Sequence, residues 1–412
     1  MWDIDFSKIW CIILVWVIEK WGINVKNKEY ALALSGGGTR GAYEIGAYRA
    51  LKEMGINIVA IAGTSIGALN GAMFVSDNLD KAEEMYNNIK IDNVIDIDED
   101  TGINPDKDIF NFQNIFKLAK DYTKKKGLNN LPLKKMIKKE IDIDKIYSSN
   151  IEFGLVSYSI KSKKALEVFK EDIPKKDFID YLLASSCFPI YKAQKIKDEE
   201  YVDGFFHDNM PINMLIEKGY KNIIAIDIGS VNANKRLIDK STYVKVVKAS
   251  ENLGGTFEFN REKIKFNINL GYLDTMKSFN KLKGHMYFFR PYEFNRILHK
   301  FTLEQLYGLE YAAEIYGIDK YRVYTCKEFL NLLLESHNKA TQNYNKVRES
   351  LDFKKLLKGG KEIKNIVDKG LGLCLVEDLI NNKPSFRNIK IINKLFSTYF
   401  LAADAMIELE NL

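Results

Sequence analysis

The chain has 412 residues, 46% of them apolar and 28% charged, with a formal net charge of +6. That length exceeds an ordinary single domain and the apolar content is ample for a core, so one large α/β domain with a second helical portion is expected. The modest charge does not suggest dedicated nucleic-acid binding, and the composition is ordinary for a folded protein.

Cys11, Cys187, Cys326 and Cys374 are scattered, without a C-x-x-C pair, and read as buried free thiols. His207, His285, His299 and His337 have no ligand spacing, which argues against a zinc site. No metal or other cofactor is expected.

Residues 1–28 form an apolar N-terminal segment. Its run Ile9 to Ile18 is ten apolar residues, half of the roughly 20 needed to span a bilayer. Asp3 and Asp5 precede it and no small-residue cleavage site follows, so a signal peptide is not expected. The plain reading is an element packed on the main core. The alternative is an interfacial anchor, because Trp2, Trp10, Trp16 and Trp21 all fall here. The expected setting is cytoplasmic, with peripheral membrane contact as that alternative.

Two strand–glycine turn–helix units follow. Tyr30 to Leu34 reads as a buried strand running into Gly36-Gly37-Gly38. Ile45, Tyr48, Leu51 and Met54 then mark a helix that Gly55 ends. Ile58 to Ala62 repeats the plan, with a sharp turn at Gly63-Thr64-Ser65-Ile66-Gly67 and an apolar helix to about Phe74. Gly36, Gly38 and Gly41 fit a dinucleotide G-x-G-x-x-G, but the second strand ends without the acidic residue that would hold a ribose. No Gly-Lys-Ser/Thr follows to make a P-loop. The remaining reading is a nucleophile elbow at Ser65, flanked by Gly63 and Gly67, with the triple glycine presenting backbone N–H groups to a developing oxyanion.

Farther on, Asp92 to Asp108 reads as an acidic loop, and Lys117 to Lys139 carries nine lysines against one acid. The latter is a solvated face, or else a patch for anionic headgroups. Ile151 to Tyr158 and Ala165 to Phe169 read as a hairpin, and Phe178 to Ser185 as a helix before Pro189. Tyr201-Val202-Asp203-Gly204 delivers an aspartate to a glycine turn, followed by a helix from Ile212 and a buried strand, Asn222 to Ile228. From Lys235 the pattern turns helical with interruptions, closing at a strand, His285 to Arg290. Residues 296–412 read as mainly helical, with no proline between Pro291 and Pro384.

A serine hydroxyl needs a base within about 2.6–3.2 Å. None of the four histidines falls in a turn after a strand, where a triad histidine belongs. The base is therefore sought among carboxylates, and Asp203 has the setting for it.

Gly36-Gly37-Gly38-Thr39-Arg40-Gly41, Gly63-Thr64-Ser65-Ile66-Gly67 and Asp203-Gly204 resemble the three signature blocks of the patatin-like phospholipases. Ala184 to Pro189 and Asp208-Asn209-Met210-Pro211 also resemble that family's pattern. The resemblance covers roughly residues 29 to 292. It implies a three-layer α/β fold with a central, mostly parallel sheet flanked by helices, here at residues 29–295, with the helical region 296–412 appended. It also implies hydrolysis of fatty-acyl esters of phospholipids or lysophospholipids without a metal. Ser65 would be the nucleophile, Asp203 the general base, and Gly36, Gly37 and Gly38 the oxyanion hole. Arg40, Gly41, Gly63, Gly67 and Gly204 would support them, Arg40 by holding the glycine loop. Phe205 departs from the family, which places a small residue there; a bulky side chain would narrow the acyl site or shift the aspartate. Two alternatives follow: a lipid-binding protein without turnover, and a carboxylesterase acting on non-lipid esters.

Overall fold

The computed structural model describes residues 28–94, 128–188, 190–229, 236–348, 369–382 and 390–411. The tryptophan-rich segment, most of the acidic stretch, the first part of the lysine-rich stretch and Pro189 lie outside these residues. The chain divides into two compact units, Met1–Thr275 and Met276–Leu412.

In the first unit, strands β1 (Glu29–Leu34) and β2 (Asn57–Thr64) lead into helices α1 (Ala42–Glu53) and α2 (Ile66–Val75). Helices α3 (Leu79–Asn88), α4 (Leu131–Glu140) and α5 (Ile143–Ser148) precede the hairpin β3 (Glu152–Ser159) and β4 (Ala165–Phe169). Then come α6 (Phe178–Ser185), β5 (Gln194–Ile196), β6 (Glu199–Asp203), α7 (Ile212–Glu217), β7 (Asn222–Asp227), β8 (Tyr243–Lys248) and α8 (Arg261–Ser278). The sheet runs β5-β6-β3-β2-β1-β7-β8, with β4 also pairing β3. Strands β1, β2, β3, β7 and β8 pair in parallel, while β4, β5 and β6 join antiparallel.

The central strands are buried on both faces, as parallel strands covered by helices must be. Alternation divides their side chains by size. Ala31, Ala33, Ala60, Ala62 and Ala225 share one face with Met210, Ile212, Met214 and Leu215, the residues around α7. On the other face Leu34, Ile61 and Phe153 lie against Gly71 of α2. The result is a three-layer α/β arrangement with its mostly parallel sheet between helices.

Strand β8 was not expected from the sequence, where the pattern after Lys235 reads as helical. It is an edge strand on which Val247 is the one buried side chain, so Tyr-Val-Lys-Val-Val-Lys carries little inward periodicity. In the lysine-rich stretch, α4 buries Leu133 and Ile137 while Lys138 and Lys139 fall in its last turn. This is an amphipathic helix with cations at its C-terminal end, where the helix dipole favours them.

The second unit is mainly helical. Strands β9 (Phe288–Phe289) and β10 (Val323–Tyr324) form a short parallel pair, so the strand expected over His285 to Arg290 shrinks to two residues. Helices α9 (Pro291–Leu298), α10 (Leu303–Ile315), α11 (Cys326–Val347), α12 (Lys369–Asn382) and α13 (Lys390–Glu410) make up the rest. Their core gathers Tyr287, Phe289, Tyr324 and Phe329 with Leu306, Leu309 and Leu333. Thr302 opens α10 with a capping box, its hydroxyl accepting from Gln305 N–H while the Gln305 side chain accepts from Thr302 N–H. Glu310 is fully buried, and its carboxylate accepts the backbone N–H groups of His285, Met286 and Tyr287. Among the described residues, no helix is long and apolar enough to cross a membrane.

Candidate active site

Register alone brings the serine and the aspartate together. Strand β3 lies between β2 and β6, where Val156 pairs with Thr64 and Ser157 pairs with Asp203. Ser65 follows β2 at once, and Asp203 ends β6. Their side chains meet beside residues 156 and 157 of β3, where Ser65 Oγ donates to Asp203 Oδ2 at 2.6 Å.

Ser65 occupies φ 57°, ψ −123°, a strained conformation for a residue with a side chain. The surrounding turn leaves no room for bulk. A Cβ at Gly63 would come within 2.3 Å of the Gly67 carbonyl, and one at Gly67 within 2.6 Å of the Leu34 carbonyl oxygen. The turn is held from below: Ser65 N–H donates to Ser185 Oγ at 3.1 Å, and Ser185 Oγ donates to the Val156 carbonyl at 2.7 Å. Thr64 Oγ1 donates to the Asp208 carbonyl at 2.7 Å. The N-terminus of α2 begins directly after Ser65, so the positive end of its dipole faces this point.

Asp203 is 1% exposed. Burial pushes its carboxyl up to about 7, against the opposing pull of hydrogen bonds from Ser65 Oγ and the Phe205 N–H. The Phe205 N–H donates to Asp203 Oδ1 at 2.9 Å, and Asp203 N–H donates to the Cys187 carbonyl at 2.8 Å. Both carboxylate oxygens and the backbone of Asp203 are thus fixed. No histidine approaches the pair: His207 Nε2 lies 3.1 Å from Glu167 Oε1 instead.

The three glycines differ in their bonding. Gly36 is clasped by Asn209: its N–H donates to both the Oδ1 and the backbone oxygen of Asn209 at 3.1 Å, and Asn209 Nδ2 donates to the Gly36 carbonyl at 3.2 Å. The N–H groups of Gly37 and Gly38 have no acceptor among the described residues, and both glycines line the pocket above Ser65. Gly38 has φ +61°, and a Cβ there would fall 2.0 Å from the Thr256 carbonyl oxygen. Of the three glycines expected at the oxyanion hole, Gly36 thus has its N–H taken up by Asn209, whereas Gly37 and Gly38 do not.

Arg40 ties this loop to a neighbouring segment. Its Nη2 donates to Thr256 Oγ1 at 2.8 Å and its Nη1 to the Gly229 carbonyl at 3.1 Å. Thr39 N–H adds a bond to the Thr256 carbonyl at 2.8 Å. Behind the loop, Asn70 Nδ2 donates to the Gly41 carbonyl at 3.0 Å and to Glu44 Oε2 at 2.8 Å. Glu44 is completely buried, and burial pushes its carboxyl up to about 8. Gly204 lies against β3, where a Cβ would come within 2.4 Å of the Val156 carbonyl oxygen.

The pocket over Ser65 and Asp203 is walled by Leu69, Val94, Leu133, Phe188, Phe205 and Phe257. Phe188 packs edge-on against Phe257 at 5.6 Å and tilted against Phe205 at 6.5 Å. Phe205 thus stands in the pocket wall while its backbone N–H holds Asp203. The ring lines the cavity while Asp203 keeps its bond to Ser65 Oγ.

Sequence reasoning treated Asn209 and Ser185 only as parts of resembling blocks, and gave Asn70 and Glu44 no role. Nothing in their spacing marks them: Asn209, Ser185 and Asn70 bond backbone groups distant in sequence, and Glu44 meets the Asn70 side chain.

An α/β domain with a serine on a strained strand-to-helix turn, bonded to a buried carboxylate beneath an apolar pocket, defines a class. Comparison gives the family: residues 32–216 match the family model for patatin-like phospholipase, and this part of the chain is a patatin-like phospholipase domain. Lysophospholipase NTE1 of Candida albicans is 25% identical over 221 residues, covering 50% of this chain and 14% of that protein. Lysophospholipase nte1 of Aspergillus terreus is 50% identical over 50 residues, 12% of this chain and 3% of that protein. An uncharacterized NTE family protein of Mycobacterium bovis is 49% identical over 51 residues, 12% of this chain and 14% of that protein. The chain thus spans from 3% to 14% of the length of these relatives. Among solved structures, VipD from Legionella pneumophila aligns with 93% of this chain and 85% of its own, at a TM-score of 0.40 and 14% identity.

Proposed function

We propose that the protein hydrolyses fatty-acyl ester bonds of phospholipids or lysophospholipids, with Ser65 as nucleophile and Asp203 as general base. The observation that carries this reading is the 2.6 Å bond between Ser65 Oγ and Asp203 Oδ2 at the base of an apolar pocket. A lysophospholipase is also what the names of two relatives denote.

In the ionised form Asp203 takes the Ser65 proton as Oγ attacks the ester carbonyl. The N–H groups of Gly37 and Gly38 would donate to the oxyanion of the tetrahedral intermediate. Each such donor is worth about 2.7–4 kcal/mol in a comparable serine enzyme. The intermediate collapses as Asp203 returns the proton to the leaving alcohol, which leaves an acyl-serine. Water then attacks that ester, giving its proton to Asp203, and the fatty acid departs as the serine is restored. The aromatic wall accepts the acyl chain, and Phe205 limits its girth.

We further propose that the hydrolytic domain covers residues 29–295, with 296–412 as an appended helical region. The lysines of α4 suit peripheral contact with an anionic surface. The deciding experiment is product analysis on defined phospholipids and lysophospholipids, comparing the native chain with Ser65→Ala and Asp203→Asn. Release of fatty acid by the native chain and its loss in both variants is expected. Full activity in Ser65→Ala would sink the reading.

A further inference from the structure

The second unit holds a cluster of metal-ligand side chains. His337 projects from α11, Cys374 and Glu377 stand one turn apart on α12, and Glu410 ends α13. His337, Cys374 and Glu377 are 2%, 4% and 9% exposed, and one ligand atom from each lies within 4.8 Å of the others. His337 Nε2 is 2.9 Å from Glu410 Oε1 and 3.7 Å from Glu377 Oε2.

The arrangement is electrostatically incomplete. Two carboxylates converge on a single ring nitrogen, and neither has a lysine or arginine within ion-pair distance among the described residues. Glu377 Oε1 is buried and makes no hydrogen bond. Such an oxygen is costly to keep ionised unless a cation meets it. The opposite ring nitrogen is already engaged, with Tyr316 Oη 2.7 Å from His337 Nδ1. With an ion on Nε2, the proton sits on Nδ1 and the phenol oxygen accepts it, the outer contact that a metal-bound histidine needs. Thr341 Oγ1, 3.4 Å from His337 Nε2 and 3.7 Å from Cys374 Sγ, stands beside both ligand atoms.

From these contacts we infer a structural zinc site formed by His337 Nε2, Cys374 Sγ, Glu377 and Glu410, clamping α11, α12 and α13 together. One sulfur, one nitrogen and two oxygens make a borderline-soft set suited to Zn²⁺ in tetrahedral coordination. Bonds of about 2.3 Å to sulfur and about 2.0–2.2 Å to nitrogen and oxygen put neighbouring ligand atoms about 3.3–3.8 Å apart. The Glu377–His337 separation of 3.7 Å already meets this, and the others reach it by small side-chain rotations. Glu410 is half exposed and gives the ion its entry path. Cys374, read from the sequence as a buried free thiol, thereby acquires a function.

The test uses the full chain, stripped with chelator and titrated with Co²⁺ as a spectroscopic substitute for zinc, then with Zn²⁺ against a chelating dye. One equivalent of Co²⁺ should give intense tetrahedral bands in the visible and a thiolate-to-cobalt charge-transfer band. Cys374→Ser should remove the charge-transfer band. Glu410→Gln, at a half-exposed position, should keep the band and weaken zinc binding at least about tenfold. The proposal is overturned if the native chain shows no thiolate band, if the band survives in Cys374→Ser, or if Glu410→Gln binds zinc as tightly as the native chain.

Discussion

The side-chain amide of Asn209 grips Gly36 at both its N–H and its carbonyl, joining the loop after β1 to the segment after β6. The bond positions the glycine loop over Ser65 without touching the reacting atoms. Asn209→Ala should therefore lower kcat by about 10- to 100-fold, the effect of a misplacement on the order of 1 Å. Ester hydrolysis measured beside the melting temperature checks this. An unchanged kcat would show that the loop holds itself.

Asp203 combines burial with a carboxyl pushed up to about 7. Its activity as a base requires the ionised form, so kcat/KM should rise with pH through about 7 and level off above. A pH profile on a neutral, soluble ester tests this directly. A profile flat from pH 5 to about 9 would remove Asp203 from the role of base.

The same shift affects stability with the opposite sign. The folded state keeps the Asp203 proton up to about 7, whereas the unfolded chain loses it near 4. The folded state binds more protons in that window, so this group's contribution is fully present below about 4 and is lost as pH rises through about 7. Asp203→Asn is isosteric and removes the buried charge. It should abolish turnover yet raise the melting temperature at pH 8, by the equivalent of about 1–4 kcal/mol. Scanning calorimetry at pH 5 and pH 8 would reveal the widening difference.

Phe205 contributes its backbone to Asp203 and its ring to the pocket wall. Phe205→Ala should leave the pH profile unchanged and shift preference toward bulkier or longer acyl chains. Steady-state rates across a series of ester chain lengths test it. A collapse of activity on every chain length would mean that the ring orients the aspartate.

Glu310 satisfies the N–H groups of three successive residues in the second unit. Glu310→Ala leaves three donors without an acceptor, the Tyr287 N–H fully buried, and should destabilise that unit by about 3 kcal/mol or more. Denaturant titration with a probe in the second unit would measure it. A loss below about 1 kcal/mol would indicate that water replaces the carboxylate.

Much of the first unit was legible in the sequence because its signals are local. The run Ile66 to Val75 is apolar on all sides and reads at once as a buried helix, and Gly55 with φ +68° ends α1 where its position suggests. The Ser65 and Asp203 blocks were legible as motifs. What stayed hidden depends on distant partners. The three glycines look equivalent as letters, and only Asn209, 173 residues away, distinguishes Gly36 from the other two. Strand β8 escaped because an edge strand with one buried residue has almost no inward pattern. His337, Cys374, Glu377 and Glu410 lie on three helices, and no spacing within one segment announces their convergence.

Strand β3 carries one further implication. Its residues 156 and 157 are the common reference for Thr64 on one side and Asp203 on the other. In a pleated sheet, a slip of one residue on either side of β3 would turn the hydroxyl or the carboxylate to the wrong face. Catalysis would then fail even with every element folded. Recovery of turnover during refolding should accordingly lag behind recovery of helical circular dichroism, reporting the moment at which both neighbours of β3 have found their register.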